Sequence, residues 1–534
     1  MVTLIELAIV FLAIFMGVRH GGLALGFWGG LGLIVLAVVF GVFPTAPPID
    51  VMLIILAVCT AASCMEAVGG LDILVRFAAK IIRAKPKMVG VVAPVVSFFL
   101  TFFAGTGNAV YALLPVVYEV SYNAGVRPEP AMAGTAVAGQ QHTARSRNDL
   151  YATVVRMDVR KFYLEVCELY NEMRKTIQQV ARNNTDAVMA GYTHLQPSEP
   201  ITFAQYCAAI LYGMDRDYQR IQNAWEQLNL CPLGGGSMGS TTWKIDRQFT
   251  SELLGFNAPL GNSIDAVGSR DYILEILSAF GIAASTFTRL CQDLYVWATP
   301  DYGYVEVADE VAVCSSIMPQ KKNPWTLEHI KGKSANIEGL CVGAWAVMKN
   351  TPYTHNNESS GEGPTFLWNA FDEMKACIEL LNITFRGIKL NKELMVETAS
   401  NNFCTMAELA NTLVRADHIS FRTAHDIVAH VVDFMLTHGK KASEIDVDVI
   451  APIAKQLFNI ETKVTNEEIQ LGLDPVKNAN SKDSLGGSAP EEVLRQLDEL
   501  MARLEENISV VTQRRAQLEG AKQKTEAKIQ ALLA

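Results

Sequence analysis

The pattern of hydrophobic and polar positions changes character near residue 140. Ahead of that point apolar residues run in near-continuous blocks. These are Leu4 to Val18, interrupted by Glu6; Gly21 to Phe43, stopped by Pro44, Pro47 and Pro48; Val51 to Val68; and Met88 to Gly105. Blocks of roughly 15 to 23 residues are short to adequate for crossing about 30 Å of hydrocarbon, so they predict transmembrane helices. A cleaved leader would not be followed by three further blocks of the same kind. Behind residue 140 apolar positions recur at helical spacing instead: from Asp149 to about Arg182 they include Val154, Met157, Phe162, Val166, Leu169 and Met173. Similar runs cover Phe203 to Leu228, Ala266 to Ala298, Leu327 to Met348 and Leu367 to Arg386, and no alternating strand pattern matches them in length. The predicted class is all-α, N-terminal transmembrane helices followed by a bundle of long helices. Glu491 to Leu533 repeats Leu494, Leu497, Leu500, Leu504, Ile508 and Val511 in a charged background, the pattern of a solvent-facing helix or a short coiled coil.

Charge separates the same two parts. Of the formal net charge of −10, Met1 to Gln140 contributes +1 and the remainder −11. The remainder lacks the basic stripe that phosphate neutralisation needs, which excludes a general nucleic-acid binder. The connection Leu71 to Lys87 carries Arg76, Lys80, Arg83, Lys85 and Lys87 and is expected on the cytoplasmic side. For the acidic part to be cytoplasmic as well, Asn108 to Tyr122 must cross or re-enter. Pro115 and the Gly105-Thr106-Gly107-Asn108 turn give that segment the look of a broken transporter helix. The ten cysteines are scattered without a C-x-x-C pair, so reduced thiols and no structural metal are expected.

Three polar blocks in the helical part need a chemical explanation. HTARSRND (His142 to Asp149) opens a helix; its capping residues and free backbone N–H groups, with Arg145 and Arg147, suit a carboxylate. GYTHLQPSEP (Gly191 to Pro200), expected as a loop, carries Thr193, His194 and Gln196 in four consecutive positions. SSIMPQKKNPWTLEHIKGK (Ser315 to Lys333) reads as a mobile loop feeding a helix with Asn323 as N-cap and Pro324 at its first position. A serine is a poor base in water. Ser315 becomes a plausible one if Lys321 and the loop amides stabilise its ionised form, with Asn323 as a further partner.

Taken in this order, HTARSRND, GYTHLQP and SSIMPQKKNP resemble the argininosuccinate lyase branch of the aspartase and fumarase superfamily. PLGGGSMGSTTWKIDR (Pro232 to Arg247), NSIDAVGSRD (Asn262 to Asp271), FRTAHDIV (Phe421 to Val428) and GGSAPEEV (Gly486 to Val493) carry the same resemblance, over about Gln141 to Leu497. It implies release of fumarate from an N-substituted aspartate, with no cofactor. Ser315 would remove the Cβ proton, and Lys321 and Asn323 would stabilise the carbanion. His194, polarised by Glu328, would move a proton or orient substrate beside Thr193 and Gln196. Ser146, Arg147 and Asn148 would hold the carboxylates of a small dicarboxylate or amino-acid substrate. Family sites draw on three subunits, so a homotetramer is implied.

The front of the chain resembles a different family: VGGLDILV (Val68 to Val75), APVVSFFLTFFAGTGN (Ala93 to Asn108) and LLPVVYEV look like the start of an anaerobic four-carbon dicarboxylate transporter, to about Gln140. The resulting division is a transporter-like membrane segment over 1–140, a central lyase bundle over 141–385, a small helical domain over 386–490 and an extended helix over 491–534. The lyase type's usual first domain is lacking. The expected location is the inner membrane, held through residues 1–122, with the lyase part in the cytoplasm. Two departures bear on substrate. Cys314 stands where a glycine usually precedes the serine pair, and His355, Ser360 and Gly363 replace a tyrosine, a glutamine and a lysine that contact substrate. The alternative reading is a dicarboxylate transporter fragment with a catalytically inactive lyase-like domain.

Overall fold

The computed structural model describes residues 144–533 continuously, together with 80–84, 88–104 and a few isolated positions ahead of them. Two compact units divide the chain, Met1–Gln141 and His142–Ala534. In the first, the described helix is Val89–Ala104, with Pro94 inside it. Its 16 residues reach about 24 Å at about 1.5 Å per residue. The spans expected over Leu4 to Val18 and Val51 to Val68, all but Trp28 and Leu31 of Gly21 to Phe43, and nearly all of the re-entrant Asn108 to Tyr122, lie outside the described residues.

In the second unit five long helices make the bundle: α1 (Arg147–Arg182), α2 (Phe203–Leu228), α3 (Asp271–Trp297), α4 (Trp325–Met348) and α5 (Gly363–Arg386). Among the described residues α3 alone is long and apolar enough to cross a membrane. It is instead the centre of the bundle, burying Ile273, Ile276, Leu277, Phe280, Ala284 and Phe287 against the other helices. Helix α1 buries Val155, Val159, Tyr163, Val166, Tyr170 and Met173, whereas Val154 and Phe162 are exposed. The stripe expected from sequence therefore mixed two faces. A helix touching several neighbours buries more than one face, and spacing alone does not rank them.

Arg156 and Arg160, one turn apart on α1, close the end of α2. Arg156 donates to the Gln227 and Leu228 carbonyls, acceptors that the C-terminus of α2 leaves open, and Arg160 donates to the Asn229 side-chain oxygen and the Gly255 carbonyl. A second apolar core, built on Leu409, Leu413, Ile427, Val431, Ile450 and Ile469, belongs to the shorter helices Met406–Asp417, Phe421–Thr437, Val447–Phe458 and Asn466–Leu473. The terminal helix α6 (Pro490–Leu533) does not stand free in solvent. It runs antiparallel to α1, with the Leu497 carbonyl taking a bond from Gln178 and Arg515 paired to Glu168. Farther along, Thr525 donates to the Leu253 carbonyl.

The block expected as a loop at Gly191 to Pro200 is a hairpin, β1 (Val188–Thr193) paired antiparallel with β2 (Gln196–Thr202). Its two-residue turn is His194-Leu195, with φ of 55° and 57°. A tight hairpin requires positive φ at both central positions, and neither residue adopts it readily. At the bulge beside Tyr192, a Cβ on Gly191 would lie 2.9 Å from the Glu199 carbonyl oxygen, so only glycine fits there.

Candidate active site

The candidate residues fall at two ends of the bundle. At the first, Ser146 caps α1: its hydroxyl accepts from the Asn148 N–H at 3.2 Å, and the Asp149 carboxylate accepts from the Ser146 N–H at 3.0 Å. The other oxygen of Asp149, fully buried, accepts from the Gly234 and Gly236 N–H groups, both at 3.0 Å. One carboxylate thus ties the helix start to the glycine-rich loop, and Asn148 adds a bond to the Ser237 carbonyl at 3.2 Å. This leaves Ser146, Arg147 and Asn148 on an ordered helix N-terminus whose dipole favours an anion.

The same end gathers Arg270, Tyr151 and Tyr353, which the sequence does not single out, with His355 and Ser360, which it marks as departures. Arg270, 3 % exposed, sits at the N-cap of α3, where a cation opposes the helix dipole. It donates to the Ser269 carbonyl at 2.6 Å and lies 3.4 Å from the Ser360 hydroxyl, which meets His355 Nδ1 at 3.1 Å. Tyr151 donates to the Ser360 carbonyl at 2.9 Å, and Tyr353 to Asp265 at 2.6 Å. Burial, then the charges of Arg270 and Arg147, hold the His355 imidazole below its ordinary range. A signal for Arg270 was present in the sequence: an arginine immediately before a long apolar helix stands where a neutral or acidic cap is expected.

At the other end lies the Ser315 loop. Its stem is a two-residue antiparallel clamp, Val313 opposite Asn323 and Cys314 opposite Lys322. The Ser315 N–H donates to the Lys321 carbonyl at 3.1 Å, so serine and lysine face each other across the mouth of the loop. Ser315 Oγ accepts from the Met318 N–H at 3.1 Å and from the Ile317 N–H at 3.4 Å. Amides aimed at this oxygen are what an ionised serine needs. Asn323 is not the N-cap expected from sequence: the helix starts at Trp325 after Pro324, and the Asn323 amide donates to the Val313 carbonyl at 3.0 Å. This bond of its side-chain amide helps close the clamp.

Glu328 is exposed on the first turn of α4 and accepts from the Tyr295 hydroxyl at 3.2 Å, not from His194. Thr193, His194 and Gln196 are exposed around the hairpin turn. The hairpin is fixed from behind by the Tyr192 hydroxyl, 2.5 Å from that of Tyr304. From Arg270 at one end of α3 to Tyr295 at the other, 25 residues of helix span about 37 Å. Within one chain, the Ser146 group and the Ser315 group are therefore apart.

Residues 2–157 match the family model for the anaerobic C4-dicarboxylate membrane transporter, residues 120–339 the lyase model, and residues 403–478 the argininosuccinate lyase C-terminal model. Argininosuccinate lyase 1 of Shouchella clausii is 43% identical over 424 residues, covering 79% of this chain and 85% of that protein. The chain belongs to the argininosuccinate lyase family. The argininosuccinate lyase of Methanocaldococcus jannaschii is 38% identical over 372 residues, 70% of this chain and 75% of that protein. Among solved structures, EDDS lyase in complex with formate superposes with a TM-score of 0.70 at 28% identity, covering 86% of this chain and 92% of that one. The class II fumarase of Schistosoma mansoni, at 14% identity and a TM-score of 0.54, shares the fold alone. The family assignment agrees with the helical bundle and supports a lyase-type function. The transporter and lyase matches overlap over residues 120–157, across the change in hydrophobic pattern near residue 140.

Proposed function

We propose that this chain is a carbon–nitrogen lyase that eliminates fumarate from argininosuccinate or a related N-substituted aspartate. The observation that carries the reading is the Ser315 loop, where two backbone amides point at the serine oxygen and Lys321 closes the mouth. In this reading ionised Ser315 takes the Cβ proton. The electron pair left on Cβ is delocalised into the neighbouring carboxylate, where Lys321 and Asn323 stabilise it. It then forms the double bond as the Cα–N bond breaks, and the departing nitrogen takes a proton. His194, with Glu328 of another copy as its orienting partner, serves in that proton transfer or in holding substrate, beside Thr193 and Gln196. Ser146, Arg147 and Asn148 hold the carboxylates, and no cofactor is needed because positioned cations and amides supply the acidity.

The length of α3 between Arg270 and Tyr295, about 37 Å, supports a site that draws these groups from several copies, and a homotetramer is the assembly inferred. Exposed apolar side chains on the flank of the bundle, Ile282 at 45%, Val342 at 69% and Trp345 at 52%, support helix packing between copies. Residues 1–122 attach the enzyme to the inner membrane, the lyase part facing the cytoplasm. The front segment stands where the lyase type has its first domain, and the lyase part divides at about residues 385 and 490 into bundle, small helical domain and terminal helix. Ultraviolet absorbance of fumarate, on mixing the full chain with argininosuccinate and other N-substituted aspartates, tests this reading. Release lost in Ser315→Ala supports it, and no release from any substrate by folded protein refutes it. The transporter match over residues 2–157 favours a second reading, dicarboxylate transport beside an inactive lyase-like domain. Uptake into vesicles that survives Ser315→Ala would support that alternative.

A further inference from the structure

The turn that carries His194 is strained, and its own ladder holds it poorly. His194 and Leu195 take φ of 55° and 57°, a region that is unfavourable for any residue but glycine. Leu195 is 64 % exposed, so burial does not offset the strain at the tip. Opposite Tyr192 and Ala190 stand Pro197 and Pro200, which bring no N–H to the ladder, and the register shifts between Ala190 and Tyr192. Strain of this kind persists only where the surroundings over-determine it.

Behind the turn lies a tyrosine pair. Tyr192, two residues ahead of His194, sets its hydroxyl 2.5 Å from that of Tyr304 and its ring 5.6 Å from that of Tyr302. Among the described residues no other side-chain hydrogen bond is made at residues 191–197. Lys482 grips the hairpin farther back, at Glu199 and the Pro200 carbonyl. Tyr304 is fully buried and pinned on both sides: its N–H donates to the Trp297 carbonyl at 3.0 Å, and its carbonyl accepts from the Asn391 N–H at 2.9 Å. The chain runs on as a short strand, Val305 opposite Leu390 and Glu306 opposite Lys389. Glu306 then takes Lys322, in the stem of the Ser315 loop, at 2.7 Å. The support under the hairpin is therefore fixed in place and continuous with the stem of the serine loop.

We infer that Tyr304, acting through the Tyr192 hydroxyl, is a positioning residue that sets where His194 stands. This rests on the fumarate-releasing reading above and adds a residue that touches neither substrate nor the reacting atoms. The contact joins two hydroxyls, so it can be deleted without altering the shape of either ring. Removing one hydroxyl leaves its buried partner unsatisfied and destabilises the fold, whereas removing both leaves two apolar rings of the same shape and is close to neutral. A double variant therefore separates the loss of positioning from the loss of stability.

The test uses the full-length chain as wild type, Tyr192→Phe, Tyr304→Phe and the double variant, each also in a His194→Ala background. Fumarate release from argininosuccinate and other N-substituted aspartates is read beside the melting temperature. The expected result is a kcat/KM about tenfold lower in both single variants and still about tenfold lower in the double variant, because a small misplacement of a proton-transfer or orienting group is enough to slow the reaction. The melting temperature of the double variant should meanwhile return close to that of the wild type. With His194→Ala already present, the same two substitutions should lower kcat/KM no further. Hydrogen–deuterium exchange of a peptide covering residues 188–202 should be faster in the double variant, which reads the freed turn without any activity. Activity that recovers together with the melting temperature in the double variant, or a full further loss in the His194→Ala background, would overturn this inference alone. Failure of the folded wild-type chain to release fumarate from any substrate would overturn the lyase reading and the inference with it.

Discussion

Asp149 offers a sharp test of how the helix start is built. Its buried carboxylate accepts three backbone N–H bonds, from Ser146 on one oxygen and from Gly234 and Gly236 on the other, each at 3.0 Å. Asp149→Asn preserves shape but replaces one acceptor by an N–H₂ donor and removes the charge. Whichever way the amide turns, at least one backbone donor then faces a donor. A buried amide left unpaired costs about 1–3 kcal/mol, and weakening the remaining charge-assisted bonds brings the total to about 2–4 kcal/mol. At about 1.4 kcal/mol per tenfold change, local opening of the glycine-rich loop becomes about 30-fold to nearly 1,000-fold more frequent. Hydrogen–deuterium exchange of a peptide covering residues 232–240 reads this directly. If Ser146 to Asn148 bind carboxylates, the same variant should raise KM more than it lowers kcat. Exchange within about threefold of wild type would refute the assignment of Asp149 as the tie between helix and loop.

Two further predictions concern the terminal helix. Asp215, 1 % exposed, pairs with buried Arg174 at 2.5 Å and with Arg503 of α6 at 3.0 Å, so Asp215→Ala strands a buried arginine and should cost about 3–5 kcal/mol. The measurement is the melting temperature of the helical unit, and a change below about 1 kcal/mol would contradict the pairing. The hydrogen bond from Arg495, then the Gly486 N–H, lower the Glu492 carboxyl to about 2. Because this carboxyl titrates lower in the folded chain than its ordinary 4.5, its stabilisation is complete above the ordinary range. That contribution fades as pH falls toward 2. Carbon NMR titration should place Glu492 well below exposed glutamates, and an ordinary midpoint would refute the contact.

The long helices were legible because their periodicity is sustained: the runs at Phe203 to Leu228 and Leu327 to Met348 sit within observed helices. Capping was legible at Ser146, where the Asp three residues later completes a reciprocal pair, but not at Asn323, because pairing with Val313 competes with capping. The hairpin at Gly191 to Pro200 escaped notice because its turn uses His194 and Leu195 instead of the Asn-Gly that signals a tight turn. Local motifs named the blocks of the candidate site, while Arg270 and the His355–Ser360 contact depend on tertiary neighbours that spacing does not encode. The family resemblance implied that the blocks come together from different subunits, whereas how far apart one chain holds them follows from how the helices are stacked.

The most direct test of the lyase reading is fumarate release by the full-length chain, wild type beside Ser315→Ala, on argininosuccinate and a panel of N-substituted aspartates. The account predicts release by the wild type, a fall of at least about a hundredfold in the variant, and unchanged helical folding in both. Release undiminished in Ser315→Ala, or none from any substrate by a folded wild-type chain, would contradict it.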